Sequence, residues 1–495
     1  MKRQDAHVAK AQYLDLAARR LFNIESRREL PDIINFRDVR SSWKEYRLEL
    51  LNHISGLHCG PNRVEIIEHP KDPISVRPLA RFEIRDRLTY ETIVAEIAST
   101  VDPLISENVF SYRANRSQMH SVDDWLEWRV QARKILEINP RLTMAKTDVA
   151  SFYENIDIDI LRLDLAQSGT DELLLIQLHY FLQRFQQQSH AWGLPQGSSA
   201  SGVLSNIYLA PLDEYIRQSG VQHVRYSDDT YLFGENWEQL RSSLTGANQA
   251  LRARRLTISA KKTEIFTRSK SLEHLDDSSR DQISYLYYRG APHAKKLLSE
   301  LFSDAINRHP IKERDVNFSL TRFRRKRDAT AVHWALDNLK ELHHLSDQIL
   351  RYAERLPRHG EDLTNTLEST VLDFDLVDYP YLERNILHSA LRRPIRSKIL
   401  KDYAWHLLRD KNRPNYPREF AARYIGSYPD IADGPLLRMQ YEAESSEPVQ
   451  RATLVALYEC NYLPRHLLEN ISNSTSDLRW TARYLLRGPV VPLPA

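Results

Sequence analysis

The sequence predicts an α+β first half followed by an all-helical second half, mostly helical overall. Up to about residue 268, short β-branched and aromatic runs alternate with helical stretches. From about Ser269 strand signals nearly vanish, and amphipathic helices follow one another, as in "HWALDNLKELHHLSDQILRYAERL". Late in this half, "PREFAARYI", "PVQRATLVAL" and "DLRWTARYLL" set Ala422, Ala452 and Ala482 thirty residues apart. Each is followed two positions later by a large residue: Tyr424, Leu454 and Tyr484. A small residue lets helices approach closely and a large one fills the neighbouring groove, the logic of stacked (HEAT-like) helical-pair repeats. The plain alternative is chance register in an ordinary bundle. Tyr424, Trp480 and Tyr484 are candidates for stacking on bases, or else inter-helix core.

In chain order, Val64–Ile67 and Ile74–Leu79 read as a hairpin around "EHPKDP", and Leu142–Val149 as a strand. Glu172–Gln188 and Ser201–Arg217 read as helices, and Val224–Phe233 as a hairpin turning at Ser-Asp-Asp. The polar stretch "SKSLEHLDDSSRD" marks the domain break, giving units 1–268 and 269–495.

Composition narrows the class. The 495 residues suffice for two or three domains. Net charge is only +3, so any nucleic-acid contact must use local basic surfaces. Cys59 and Cys460 are the two cysteines; they lack metal-ligand spacing and fit a reducing compartment. The polar start and the lack of a long apolar run lead to the expectation of a soluble cytoplasmic protein with no membrane partner.

The chemistry gathers around "VRYSDDTYLF", where Asp228 and Asp229 interrupt an apolar and aromatic run. A surface turn is the plain reading. Two carboxylates at a tight turn, aimed at a third, can instead hold divalent cations through oxygen. Asp148 is a candidate third, in "KTDVASFYENI" at the end of an apolar strand, although a lone Asp there is commonly a cap. Between them stands "GLPQGSSASGVLSNIYLAPLD", where Gly193 and Gly197 let backbone approach a ligand and Ser201, Gly202 and Ser205 leave room across a helix. Lys261 and Lys262 follow in "LTISAKKTEIF", just before a short strand.

The order Asp-Val-x-x-Phe-Tyr, Gly-Leu-Pro-Gln-Gly loop and helix, Tyr-x-Asp-Asp, then Leu-x-Ile with a Lys-Thr resembles the palm of reverse transcriptases. "VRPLARFEIRDRL" and "VFSYRAN" look like the family's fingers motifs, so the resemblance covers about residues 60–268. It implies in-line phosphoryl transfer from dNTPs, with two Mg²⁺ ions (or Mn²⁺) about 4 Å apart. By the same resemblance, Asp148, Asp228, Asp229 and the Val149 carbonyl are the implied metal ligands. Lys262 matches the position proposed to protonate pyrophosphate, Tyr153 the aromatic that excludes a ribose 2′-hydroxyl, and Gln196 and Gly197 the loop along the nucleotide. Arg77 and Arg81 are candidate triphosphate clamps, and Arg113 a candidate template or phosphate contact. The plain readings are core aromatic for Tyr153, turn former for Gln196 and solvated cations for the rest.

After "KKTEIF" no primer-grip signature of the "FLG" kind appears; retron elements, a His-Asn-His nuclease and a Cys-rich zinc motif are absent too. A palm passing directly into helices looks like the bacterial abortive-infection (AbiK-like) reverse transcriptases. That resemblance implies phage defence, homo-oligomers, and template-independent, protein-primed synthesis of single-stranded DNA attached to a tyrosine. Tyr13, in a polar segment near the amino terminus, is the priming candidate, its plain reading an ordinary amphipathic helix position beside Leu14 and Leu16. Two other readings stand beside it: a templated reverse transcriptase copying a dedicated non-coding RNA, and a non-enzymatic nucleic-acid-binding module.

Overall fold

Among the residues that this computed structural model describes, six strands make two antiparallel sheets, and the rest are helix or connection. It describes residues 3–23, 31–114, 122–189, 191–373 and 375–494. Helix makes up 64% of the chain, as the sequence predicts. β1 (Val64–Pro70) and β2 (Val76–Phe82) form the expected hairpin. Its turn is tied by Asp72, whose carboxylate accepts the backbone N–H groups of Ile74 and Ser75 at 2.9 and 2.7 Å.

The second sheet has the order β4-β5-β3-β6, with β3 (Thr143–Thr147), β4 (Gln222–Tyr226), β5 (Asp229–Gly234) and β6 (Glu264–Ile265). Alternation sends Met144, Val224, Tyr226, Tyr231 and Phe233 into a core with Phe110, Trp128, Ala132 and Leu136. Trp128 stacks on Tyr231 with ring centroids 4.3 Å apart and planes 2° apart. The helices Ser199–Gln218 and Trp237–Arg252 also pack on this sheet. With helices to cover its residues, β5 is buried from Thr230 to Gly234, so apolar residues fall on both faces.

The chain divides into two compact units: Met1–Leu21, Arg47–Ile66 and Leu79–Asp277 in one, Phe22–Tyr46, Ile67–Pro78 and Ser278–Ala495 in the other. The helix Arg268–Leu275, beyond the break expected at 268, stays with the sheet. Leu275 joins the sheet's core, and the Arg268 guanidinium donates to the carbonyls of Leu136 and Leu142 at 2.9 and 3.0 Å.

In the helical unit, helices from Ser278–Arg289 to Leu478–Leu486 share one apolar core, which Ile33 and Ile34 enter from the amino-terminal segment. Ala422, Ala452 and Ala482 are fully buried. One close helix approach uses Gly426, where an added Cβ would lie 2.5 Å from the Ala456 Cα. Tyr424, Trp480 and Tyr484 are buried too, at 1, 3 and 8% exposure, so of the two readings open to them the core one holds. No described helix is long and apolar enough to cross a membrane.

Arg451 closes this unit. Its guanidinium meets Asp32 at 2.6 Å and Asp38 at 2.8 Å, and Thr481 Oγ1 donates to Asp38 at 2.7 Å. Burial alone would raise the Asp32 pKa, but the charge and hydrogen bonds of Arg451 outweigh it and hold it low. Replacing Arg451 by Met leaves two carboxylates buried without their cation. The expected loss of stability is about 3–5 kcal/mol by urea unfolding at neutral pH. Because the folded Asp32 pKa is depressed, the wild-type advantage is full above about pH 4 and shrinks as pH falls further. A neutral-pH loss below about 1 kcal/mol contradicts this account.

Candidate active site

The register of β3 on β5 brings the acids together. Thr147 lies opposite Thr230, so Asp148, one residue beyond β3, comes beside Asp229, the first residue of β5. Tyr226 pairs with Asp229 across a two-residue turn, Ser227–Asp228, with Ser227 at φ 58°. A left-handed residue in this position suits a tight hairpin. Three carboxylates from two strand ends thereby converge.

Their electrostatics follow from crowding. Burial first, then the charges of Asp148 and Asp229, push the Asp228 carboxyl up to about 7, and it shares a hydrogen bond with Asp148. Burial raises Asp229 as well, opposed by Lys146, whose Nζ stands 3.6 Å from its Oδ1. Lys262 Nζ donates to Asp148 Oδ2 at 2.8 Å. Burial works against the Lys262 charge, but the bond to Asp148 and the fields of the acids prevail and raise its pKa.

Backbone stitching sets Lys262 there. Ser259 N–H donates to the Asp148 carbonyl at 2.7 Å, Ala150 N–H to Thr257 at 2.9 Å, and Val149 bridges Ile258. β6 then pairs Ala145 with Ile265. Val149 is itself buried beside the acids.

The Gly-Leu-Pro-Gln-Gly loop is pinned on two sides. Leu194 N–H donates to the Tyr153 carbonyl at 2.8 Å, and Ala80 N–H of β2 to the Gln196 carbonyl at 2.9 Å. Gly193, at φ 70°, passes so close to the Tyr153 turn that an added Cβ would lie 1.9 Å from that carbonyl oxygen. Gly197 adopts φ 90°, and its carbonyl accepts from Arg87 at 3.1 Å. Ser198 then caps the following helix. Tyr153 is half-buried, with its hydroxyl 3.5 Å from Ser227 Oγ in the acidic turn. Gln196 Nε2 lies 3.5 Å from Glu154 Oε1. The structure thus brings Asp148, Val149, Tyr153, Gln196, Gly197, Asp228, Asp229 and Lys262 into one connected neighbourhood.

Other expected residues are engaged elsewhere. Arg81 is ion-paired with Glu65 at 2.9 Å across the hairpin, and Arg77 is exposed near the hairpin tip. Arg113 holds Asp102 at 3.1 Å and the carbonyls of Asp102 and Ser106, so its guanidinium is occupied in its own loop. Tyr13 is half-buried within the helix Arg3–Asn23. Around it, Lys10 Nζ meets Gln177 at 3.2 Å and Asp15 meets Arg47 at 2.7 Å, while Leu14, Ala17 and Ala18 are buried. The chain end free to swing, on which its candidacy rested, is here a docked helix.

Sequence reasoning missed Lys146 and a buried network under the turn. Lys146 sits two residues before Asp148, the spacing that shares a strand face. Arg225, fully buried, grips both oxygens of Asp213 at 2.8 and 2.6 Å, Asn206 Oδ1 at 2.9 Å and the Ser227 carbonyl at 2.9 Å. Ser111 Oγ accepts the Ser227 N–H at 2.7 Å. Burial would raise the Asp213 pKa; Arg225 and His223 overcome it and keep it low. An arginine in the midst of an apolar strand was the signal available.

Residues 69–289 match the family model described as "Reverse transcriptase (RNA-dependent DNA polymerase)", so the chain carries a reverse transcriptase domain. It is a nucleotidyltransferase of the reverse transcriptase type. A solved structure of telomerase from Candida albicans, in complex with a TWJ fragment of telomeric RNA, is similar at 12% identity and TM-score 0.30. That similarity covers 75% of this chain and 70% of the telomerase chain, and says nothing of what this chain binds. No curated protein matches the chain in sequence.

Asp228→Asn keeps the turn's volume and removes one charge. In metal-free protein near pH 8 the variant is expected to melt at a higher temperature than wild type. The raised Asp228 pKa makes ionisation costly, so wild-type stability falls as pH rises from about 4 through 7. The gap should close as pH is lowered toward 4. Nucleotide incorporation should drop on the order of 10²–10³-fold or more. Equal melting at pH 8 together with wild-type activity contradicts the site.

Proposed function

We propose that the chain is a phage-defence DNA polymerase of the abortive-infection type, making single-stranded DNA from dNTPs. The observation that carries the polymerase part is the convergence of Asp148, Asp228 and Asp229 with Lys262 at one end of the sheet. Its donor set, carboxylate oxygens crowded enough to hold a proton at Asp228, fits hard divalent cations. Mg²⁺ is the proposed ion, with Mn²⁺ as substitute, held by the three acids and the Val149 carbonyl. Bound ions would supply the positive charge that steadies the attacking and leaving oxygens.

The remaining roles belong to side chains. Lys262 is held charged, which suits it to give a proton to leaving pyrophosphate. Tyr153 stands over the acidic turn as a wall against a 2′-hydroxyl, and the Gln196–Gly197 loop lies along the nucleotide. Arg81 is the proposed triphosphate clamp, exchanging Glu65 for phosphate, and Arg77 its exposed companion. Removing the wall by Tyr153→Ala should narrow discrimination between deoxyribo- and ribonucleotides by about tenfold or more. Unchanged discrimination in a folded variant returns Tyr153 to a packing role.

The abortive-infection assignment is supported by a palm that runs directly into a large helical unit. That unit, read as HEAT-like repeats, is the proposed replacement for a thumb and seat of homo-oligomer assembly, in a soluble cytoplasmic protein. Basic and aromatic groups sit together in it: Arg322 lies 3.5 Å from the half-buried Phe318 ring centroid, Arg325 5.6 Å from the half-buried Tyr288, and Arg289 5.3 Å from the exposed Tyr285, the proposed contacts for single strands. Alternating guanidinium and aromatic groups hold phosphate and base together.

Self-priming from a tyrosine, without a template, is the finer part of this proposal. A second reading, copying of a dedicated non-coding RNA, is favoured by the RNA-dependent description of the matching family and by the docked position of Tyr13. Priming from Tyr13 would require the Arg3–Asn23 helix to detach. Mass spectrometry of nuclease-trimmed protein separates the two. A nucleotide adduct on a tyrosine, with synthesis from fewer than all dNTPs, is the expected result. Extension of free primers only, with no adduct, overturns self-priming.

A further inference from the structure

Far from the acidic turn in sequence, two histidines and an aspartate come together in the helical unit. His333 is exposed on the helix Val332–Asp337. His359 ends the short turn Pro357–His359, and Asp362 lies in the first turn of the helix Gly360–Asp373. His359 Nδ1 and Asp362 Oδ2 are 2.7 Å apart. The rings of His333 and His359 meet edge to face, centroids 5.2 Å apart and planes 78° apart. One donor atom from each of the three residues lies within 4.8 Å of the others.

This arrangement is anchored from below. The two helices pack against each other, and Val332, Ala335, Leu336, Leu363 and Leu367 are buried beneath them in the unit's core. Backbone separation between the three residues is therefore fixed, while the exposed His333 ring is free to adjust its rotamer. Tetrahedral zinc, with bonds of about 2.0–2.1 Å, needs its ligand atoms about 3.3 Å apart, within reach of that adjustment.

We infer that His333, His359 and Asp362 form a three-ligand site for a zinc-type divalent transition-metal ion. Two imidazoles and one carboxylate are a donor set for such ions and leave a fourth position for water. Two of the three donors are imidazole nitrogens, which bind zinc-type ions strongly and hard, oxygen-seeking ions weakly. Magnesium is accordingly excluded here, whereas oxygen ligands favour it at the acidic turn. The bound ion would tie the helix Val332–Asp337 to the helix Gly360–Asp373. The competing role for these residues is a local His359–Asp362 helix-start pair with His333 merely adjacent. The inference does not depend on the polymerase reading.

The test uses full-length protein freed of any polyhistidine tag, titrated calorimetrically with zinc chloride in excess Mg²⁺. Cobalt(II) absorption serves as a second readout, since tetrahedral coordination gives intense visible bands. Wild type should bind one zinc ion that His333→Ala, His359→Ala and Asp362→Asn each weaken at least about tenfold, with loss of the tetrahedral cobalt bands. The same event should persist in Asp228→Asn and in the surface control His466→Ala. Thermal melts of metal-free variants should match wild type, because the replaced groups are exposed or half-buried. Absence of zinc binding in wild type overturns the site. So does binding that survives His333→Ala, or that disappears only in Asp228→Asn.

Discussion

Mutual repulsion of three carboxylates at one end of a small sheet is the constraint around which the first unit is organised. Asp148, Asp228 and Asp229 are brought together by strand register, where folding alone would keep like charges apart. The protein manages the cost in two ways. A proton is retained near neutrality at Asp228, and two ammonium groups, Lys262 and Lys146, lean on the outer acids. The divalent ions proposed to bind here would take the place of this proton and these lysines. Lys262, which substitutes for part of that charge, is the same residue proposed to give a proton to departing pyrophosphate.

Holding the repulsive turn in place requires a rigid underside. Arg225 supplies it, joining Asp213, Asn206 and the Ser227 carbonyl in a buried, hydrogen-bonded set. Removing one partner of such a pair typically costs about 3–5 kcal/mol. The loop Gly193–Gly197 adds a wall on the side of Tyr153. Its contacts tolerate no Cβ at Gly193, so the distance between that wall and the turn is set by backbone, not by adjustable side chains.

Much of this was legible in the sequence, for physical reasons. The hairpins and the Glu172–Ser189 and Ser199–Gln218 helices follow from strand alternation, turn residues and the cap at Ser198. The three acids were readable because carboxylates are conspicuous in apolar strands. What escaped was mostly non-local. Nothing near Asp32 or Asp38 shows that Phe22–Tyr46 belongs with the helices; the partner, Arg451, is over four hundred residues away. The helix Arg268–Leu275 looked polar, yet one buried leucine and an arginine reaching carbonyls bind it to the sheet. For Tyr13 the plain reading, an amphipathic helix position, is the one the structure has, on a helix that buries Leu14, Ala17, Ala18 and Leu21. Trp480 and Tyr484 go the same way: the spacing that suggested helical repeats also places them in the core.

The central claim is that the acids at the ends of β3 and β5 bind divalent ions for phosphoryl transfer. Anomalous diffraction at the manganese edge, from crystals soaked in Mn²⁺ and a non-hydrolysable dNTP, tests it most directly. The account predicts two manganese peaks between Asp148 and the Asp228–Asp229 turn, with Lys262 Nζ displaced from Asp148 toward the phosphates. Manganese absent from that turn while nucleotide is bound, with Lys262 still on Asp148, would contradict it.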